Sequence, residues 1–239
     1  SLGIEALPPS LVPAFLKPVV RLAARGAMEL GASGAQVRER IADWPGLPHR
    51  MESLAHPDGF LVVDNGVATH PEPTARALEG FADENRGVVL LAGCDKTTPA
   101  MMMGAVSADV PAIVVTGGPQ LAGNWRGEEL GTCTDCRRYQ QELRAGRITE
   151  DDWAELQGSI IRSPGHCAVM GTASTMAAIA EAMGMALPGN AAIPAADSRR
   201  SQLAEAAGRQ IVKLVSLDLR PSKIVTRRSL ENGVRTLHA

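Results

Sequence analysis

The sequence predicts an α/β fold, a parallel sheet flanked by helices on both faces. Three observations carry that prediction. Val88-Val89-Leu90-Leu91-Ala92 and Pro111-Ala112-Ile113-Val114-Val115-Thr116 are short, continuous apolar runs, the pattern of strands buried on both faces. A Met-rich helical segment at 99–107 lies between them, so strand, helix and strand follow in order and the strands pair in parallel. Each run ends in a glycine-bearing turn, Gly93-Cys94-Asp95-Lys96 and Gly117-Gly118-Pro119. These turns mark the carboxyl edge, where open α/β sheets bind ligands.

The other elements follow from punctuation and periodicity. Residues 1–58 are the least legible part of the chain. Pro8, Pro9, Pro13 and Pro18 break the opening stretch, a helix fits 19–30 with Gly31 as its stop, and Pro45, Pro48 and Pro57 mark a loop-like segment. Residues 59–239 read as one α/β domain. Phe60-Leu61-Val62-Val63 is a short strand delivering the turn Asp64-Asn65-Gly66, and 74–84 can form a helix. Segment 120–136 reads as a glycine-rich loop, with helices at 137–145 and 149–160. The second of these carries Thr149 and Asp152 in the spacing of a capping box. A helix rich in Ala and Met spans 171–185 and stops at Pro188-Gly189. An amphipathic helix at 202–217 places Ile211, Leu214 and Val215 on one face, and a short helix covers 226–233.

Composition narrows the function. Apolar residues make up 45% and charged residues 21% of 239, an ordinary globular balance with length enough for a real core. A net charge of −2 gives no electrostatic footprint for nucleic acid or an anionic membrane, and 3% aromatics leave no base-stacking platform. No apolar run approaches the roughly 20 residues of a spanning helix, and Ser1-Leu2-Gly3-Ile4-Glu5 lacks the layout of a signal peptide. The expectation is a cytoplasmic protein with a small-molecule substrate and neither a nucleic-acid nor a membrane partner.

Four cysteines, at 94, 133, 136 and 167, then fit buried, catalytic or metal-bound roles better than disulfides. Cys94-Asp95-Lys96 places a soft thiolate, a hard carboxylate and a lysine at a strand tip, a donor mixture able to serve two metal centres. Pro164-Gly165-His166-Cys167 is a tight turn opening into the helix at 171–185, where backbone N–H groups stabilise a thiolate or anionic cluster. His166 reads either as a donor to a cluster sulfur or as a solvated loop histidine. Arg126 reads either as a carboxylate binder or as a surface arginine. Cys133 and Cys136 form a single Cys-x-x-Cys without a second pair, weak support for zinc. A redox pair would need a strand before it and a helix after it, and the preceding stretch 127–131 is polar and short.

An ordered set of motifs now stands out. Cys94-Asp95-Lys96-Thr97-Thr98-Pro99-Ala100, Gly117-Gly118-Pro119, Gly165-His166-Cys167 and Met170-Gly171-Thr172-Ala173-Ser174-Thr175-Met176 are followed by 187–195, Thr226-Arg227 and Glu231-Asn232. Together they resemble the dihydroxy-acid/6-phosphogluconate dehydratase family over residues 87–233. The Thr-Thr-Pro-Ala form is similar to the sugar-acid (pentonate, arabinonate-type) branch.

The resemblance implies the fold of that family's N-terminal domain and a hydro-lyase that converts a 2,3-dihydroxy acid, here a sugar acid, to a 2-keto-3-deoxy acid. It implies an iron–sulfur cluster, [2Fe–2S] or [4Fe–4S], held by three cysteines with one iron open as a Lewis acid. Cys94 and Cys167 match two of those ligands. Asp95 matches a Mg²⁺ ligand, and Lys96 matches the active-site lysine carried carbamylated as a further Mg²⁺ ligand. Asp64 aligns with an upstream acidic Mg²⁺ ligand, although the inserted Asn65 leaves an Asx turn as the alternative. Two departures stand beside these matches. No cysteine precedes Cys94, and the family places no ligand at Cys133 or Cys136. Family members are also more than twice as long, with a C-terminal domain that supplies a serine base. This chain therefore reads as the N-terminal half only, impaired in catalysis alone and expected to associate, as a homo-oligomer or through the face the second domain would cover. Two alternatives remain: a non-catalytic relative with a structural or partner-binding role, and a dihydroxy-acid dehydratase of branched-chain amino-acid synthesis.

Overall fold

A computed structural model describes residues 17–43, 52–54, 62–64, 71–79 and 86–239. The chain runs through α1 (Lys17–Glu29), α2 (Gly34–Ala42), β1 (Glu52–Leu54), β2 (Val62–Asp64), α3 (Pro71–Glu79), β3 (Val88–Ala92), α4 (Thr97–Ala108) and β4 (Ala112–Thr116). It continues with β5 (Gly123–Trp125), β6 (Glu128–Leu130), α5 (Thr132–Arg144), α6 (Glu150–Ile160), α7 (Thr172–Ala182), α8 (Arg199–Ser216), α9 (Pro221–Ile224) and α10 (Arg227–His238). The fold is α/β, with a parallel sheet and helices on both faces. Among the described residues no helix is long and apolar enough to cross a membrane.

β3 and β4 pair in parallel, in register from Val88 with Ala112 to Ala92 with Thr116. On the other edge of β4 the Val114 N–H donates to the Met185 carbonyl at 2.7 Å, and Val114 makes a parallel bridge with Ala186. Every residue of β4 is buried. Its alternation divides the core as a strand covered on both faces requires. Ala112 and Val114 join Leu90, Ala92, Met102, Ala105, Ala180 and Met185 beneath α4 and α7. Ile113 and Val115 face Leu203, Ala207, Ile211 and Leu214 of α8 on the opposite side. Of the face expected on α8, Val215 is only half-buried, and Leu203 and Ala207 extend the stripe about two helical turns earlier.

A third cluster gathers Trp125, Leu130, Tyr139, Leu156 and Ile160 where the β5–β6 hairpin meets α5 and α6. This corrects the loop expected over 120–136. Strands of three residues containing Asn124, Glu128 and Glu129 show no apolar run. The hairpin is closed instead by Arg126 and Gly127, both in the left-handed region (φ 52° and 90°). Two consecutive left-handed residues are the turn whose twist matches paired antiparallel strands.

Within the segment that was least legible, α1 lies close to the helix expected at 19–30. α2 was not anticipated. Ser33 caps it through a reciprocal box, with the Gln36 N–H donating to the Ser33 hydroxyl at 3.3 Å and the Ser33 N–H to Gln36 Oε1 at 2.8 Å. β1 and β2 are antiparallel, with Glu52 opposite Asp64. The expected loop around Pro45, Pro48 and Pro57, the Asp64-Asn65-Gly66 turn beyond Asp64, and the end of the 74–84 helix lie outside the described residues. At the carboxyl end α10 runs through His238, longer than the helix expected at 226–233. Its Leu230, Val234 and Leu237 share one face by their spacing and are exposed.

The Thr149 box at α6 is formed as expected. The Asp152 N–H donates to the Thr149 hydroxyl at 3.1 Å, and the Thr149 N–H donates to Asp152 Oδ2 at 3.0 Å. Thr149→Ala removes the acceptor and should cost about 1 kcal/mol in urea unfolding. The same contacts, first the Thr149 N–H and hydroxyl and then Arg126, lower the Asp152 carboxyl from 3.8 to about 2. A carboxyl depressed by folding contributes stability above its unfolded pKa and loses it as pH falls through the folded value. The melting temperature should therefore fall between pH 3.8 and about 2. Asp152→Asn should flatten that slope.

Candidate functional site

The site is built on the carboxyl edge of the parallel pair. β3 ends at Ala92, and Cys94-Asp95-Lys96 forms the turn into α4. The Cys94 N–H donates to Thr97 Oγ1 at 3.1 Å, and the Cys94 carbonyl accepts from the Thr98 N–H at 3.2 Å and the Thr98 hydroxyl at 3.0 Å. Thr98 is 2% exposed, so the turn is anchored in the core by the hydroxyl of the second residue of α4. The side chains of Cys94, Asp95 and Lys96 form one hydrogen-bonded cluster. The Cys94 thiol donates to Asp95 Oδ1 at 3.0 Å, and Lys96 Nζ donates to Asp95 Oδ2 at 3.2 Å. The bond from Cys94, then that from Lys96, holds the Asp95 carboxyl below its ordinary range, so it is ionised at neutral pH. The Lys96 side chain keeps 71% of its surface exposed.

β4 leads into Gly117-Gly118-Pro119, and this turn receives the loop that carries Cys167. The His166 N–H donates to the Gly118 carbonyl at 3.0 Å, and the Gln120 N–H donates to the His166 carbonyl at 2.8 Å, a parallel bridge one residue before the cysteine. Gly165 makes the approach possible. Its φ is +124°, and a Cβ there would stand 2.5 Å from the Gln120 nitrogen. Cys167 therefore sits in a turn that opens into α7, as expected. Burial, followed by the neighbouring Cys133 thiol, pushes the Cys167 thiol up. From the start of α7, Thr172 Oγ1 donates to Asp95 Oδ2 at 3.3 Å and ties the two turns together.

The floor of the edge is polar and closed. Asn190 is fully buried, and its Oδ1 accepts the Thr116 N–H at 3.0 Å. The Arg200 guanidinium reaches from α8 to the carbonyls of Thr116 at 3.0 Å and Asn190 at 2.9 Å, and also bonds the Ile193 carbonyl. Neither role was anticipated, because contacts between residues so far apart in sequence leave no local pattern. Thr172 was quoted only as part of a motif, and its bond to Asp95 is likewise long-range.

Other expectations resolve differently. His166 is not a solvated loop histidine. Its Nδ1 lies 3.2 Å from the Cys167 carbonyl and 3.4 Å from Ser174 Oγ, Nε2 is buried, and burial pushes the imidazole down. Arg126 is a surface arginine engaged by two carboxylates and an indole. Nη2 pairs with Asp152 at 2.5 Å and Glu155 at 2.8 Å, and the guanidinium stacks over Trp125 at 4.4 Å. Cys-x-x-Cys does have β6 before it and α5 after it, although its strand is polar. Asp64 is the last residue of β2. Among the described residues no three His, Cys, Asp or Glu side chains converge as a complete metal site. The donor chemistry nevertheless suits two centres side by side, thiols for a soft metal and an ionised carboxylate with a reachable lysine for a hard one.

Residues 20–239 match the dihydroxy-acid/6-phosphogluconate dehydratase N-terminal family. The chain belongs to that family. An L-arabinonate dehydratase of Rhizobium leguminosarum bv. trifolii is 54% identical over 150 residues, covering 63% of this chain and 26% of the relative. A D-xylonate dehydratase of Caulobacter vibrioides is 41% identical over 215 residues, 85% of this chain and 34% of the relative. A dihydroxy-acid dehydratase of Halothermothrix orenii is 43% identical over 229 residues, 91% of this chain and 41% of the relative. The chain thus spans from about a quarter to two-fifths of the length of these dehydratases.

Within this dehydratase domain, Gly165→Ala tests whether the backbone bridge positions Cys167. The added methyl must displace Pro119 or Gln120, so the variant should be destabilised. Alkylation of Cys167 under native conditions should accelerate, measured by mass spectrometry against Cys136.

Proposed function

We propose that this chain carries the thiol and carboxylate donors of a sugar-acid dehydratase, which removes water from a 2,3-dihydroxy acid and yields a 2-keto-3-deoxy acid. The observation that carries the reading is the Cys94-Asp95-Lys96 turn at the parallel strand edge, tied through Thr172 to the helix that follows Cys167. Cys94 and Cys167 would hold an iron–sulfur cluster, and Asp95, Lys96 and Asp64 would hold Mg²⁺. When bound, these groups supply a Lewis acid for the departing C3 hydroxyl and a cation for the substrate carboxylate and C2 oxygen.

The chain's own residues have definable tasks in that scheme. Asp95 is ionised at neutral pH and needs no proton loss before it meets a cation. Thr172 and Lys96 orient the carboxylate, and the exposed Lys96 side chain can swing from Asp95 to a substrate or accept a carbamate. Gly165 and the Pro119–His166 bridge fix the backbone beside Cys167. We assign the work to the cytoplasm, where reduced cysteines persist. The exposed Leu230, Val234 and Leu237 of α10 are the face we assign to association, with another copy or with the rest of a longer dehydratase. The sugar-acid branch is favoured over branched-chain dihydroxy acids by Thr97-Thr98-Pro99-Ala100 and by the 54% identity to an arabinonate dehydratase.

Anaerobic reconstitution with ferrous iron and sulfide should give a brown protein. Its iron and sulfide should fall several-fold in Cys94→Ser and Cys167→Ser, while far-UV dichroism is retained. Colourless protein after reconstitution would refute the cluster. Asp95→Asn should leave the iron content intact and weaken Mg²⁺ binding by at least about ten-fold in calorimetry.

A further inference from the structure

We propose that Glu181 is a positioning residue of the site: its carboxylate locks the backbone behind the Gly117-Gly118-Pro119 turn and so fixes where Cys167 stands. That Cys167 serves a dehydratase rests on the reading above. The clamp itself rests on the fold.

Glu181 lies in the last turn of α7, where the helix dipole disfavours a negative charge. A carboxylate kept against the dipole needs other partners, and this one has two. Oε1 accepts the Gly189 N–H at 2.8 Å, and Oε2 accepts the Ala191 N–H at 2.9 Å. Both bonds are partly buried and charge-assisted, hence stronger than bonds between neutral amides. They grip the backbone on either side of Asn190, which is fully buried. Gly189 is left-handed, at φ +85°, and such a residue lets neighbouring N–H groups converge on one anion. Arg200 holds the carbonyls of Asn190 and Ile193 from the α8 side, so the two charges act on opposite sets of backbone groups.

The gripped segment backs the carboxyl edge. Asn190 Oδ1 accepts the Thr116 N–H at 3.0 Å, and the Ala195 N–H donates to the Pro119 carbonyl at 2.8 Å. A Cβ on Gly118 would collide with the Ile193 carbonyl oxygen, so segment and turn are in backbone contact. The turn then holds the Cys167 loop through the bond from the His166 N–H to the Gly118 carbonyl. That loop leads into α7, and Glu181 lies roughly 14 Å along the helix from Thr172. The contacts therefore close a ring: β4, the glycine turn, the Cys167 loop, α7, Glu181, Asn190 and β4 again. The helix that carries Glu181 at its end carries the Thr172 bond to Asp95 at its start, so it addresses both halves of the site.

The test is Glu181→Gln in the reduced full chain. One oxygen becomes an NH2 group facing a backbone N–H, so one of the two bonds is lost. Native-state alkylation of Cys167, read by mass spectrometry, should rise about five-fold or more. Deuterium uptake should rise at 116–120 as well as at 189–195. Thr149→Ala is the control for destabilisation alone and should leave Cys167 alkylation near wild type. Unchanged alkylation, uptake confined to 189–195, or an equal rise in Thr149→Ala overturns the proposal. Should Glu181→Gln lose its far-UV dichroism, wild-type exchange at rising urea decides. The Gly189, Ala191 and Thr116 amides should then open as one unit, and early opening of Gly189 and Ala191 alone overturns the proposal. In anaerobically reconstituted protein, Glu181→Gln should shift the visible dichroism of the cluster, a signal that loss of stability alone leaves as it is. Colourless wild type with accelerated Cys167 alkylation in the variant removes the iron–sulfur reading and leaves Glu181 in place. Brown wild type, with alkylation and visible dichroism unchanged in the variant, does the reverse.

Discussion

The parallel register of β3 against β4 is the constraint on which the rest of the molecule depends. It brings the ends of both strands level, with the Gly117 N–H donating to the Ala92 carbonyl at 2.8 Å just beyond the last pair. A slip of one residue would send Ile113 and Val115 toward α4 and α7, where small residues leave no room, and Ala112 and Val114 toward α8. Because β4 is buried throughout, both faces oppose that slip. The Cys94 turn and the Gly117-Gly118-Pro119 turn are consequently neighbours, and the Cys167 loop docks on the second through backbone bonds that extend the pairing pattern beyond the sheet.

Packing, not charge, holds this frame. The ion pairs are mostly on the surface, and such pairs contribute about 0–1 kcal/mol each. Truncating a core residue such as Leu156, 0% exposed, would cost about 2–5 kcal/mol. The charges that matter locally act by orientation. Arg126 illustrates this: it lies across Trp125 and joins the β5–β6 turn to the first turns of α6, where Asp152 already completes a helix cap.

Local features were legible in the sequence, and contacts between distant segments were not. β3, β4 and the α6 cap follow from runs and spacings of a few residues. The Cys94-Asp95-Lys96 turn is legible for the same reason. α2 carried a Ser33–Gln36 signature of equal quality, set between the Gly31 stop after α1 and the proline-marked stretch that begins at Pro45. β5 and β6 are too short and polar to show alternation, and only Gly127 hinted at a turn. Within the site, the Thr172 bond to Asp95 spans 77 residues, and the Thr116 bond to Asn190 spans 74. No periodicity encodes such pairs. The order of motifs along the chain marked a candidate region, and the fold shows which of its side chains meet, as Thr172 and Asp95 do.

Asn190 and Arg200 give the floor of the site a thermodynamic character of its own. The Thr116 amide donates to an acceptor on a fully buried side chain, and the Thr116 carbonyl accepts from an arginine rooted in α8. The second bond cannot break by fraying of a surface loop, since α8 carries Leu203, Ala207, Ile211 and Leu214 into the core, and the first is held because Asn190 is fully buried and its carbonyl accepts from the same Arg200. Deuterium should therefore enter the Thr116 amide only when α8 lifts from the sheet, at a free energy close to that of global unfolding. The exposed Lys96 side chain stands at the same sheet edge, on a turn that Thr98 anchors.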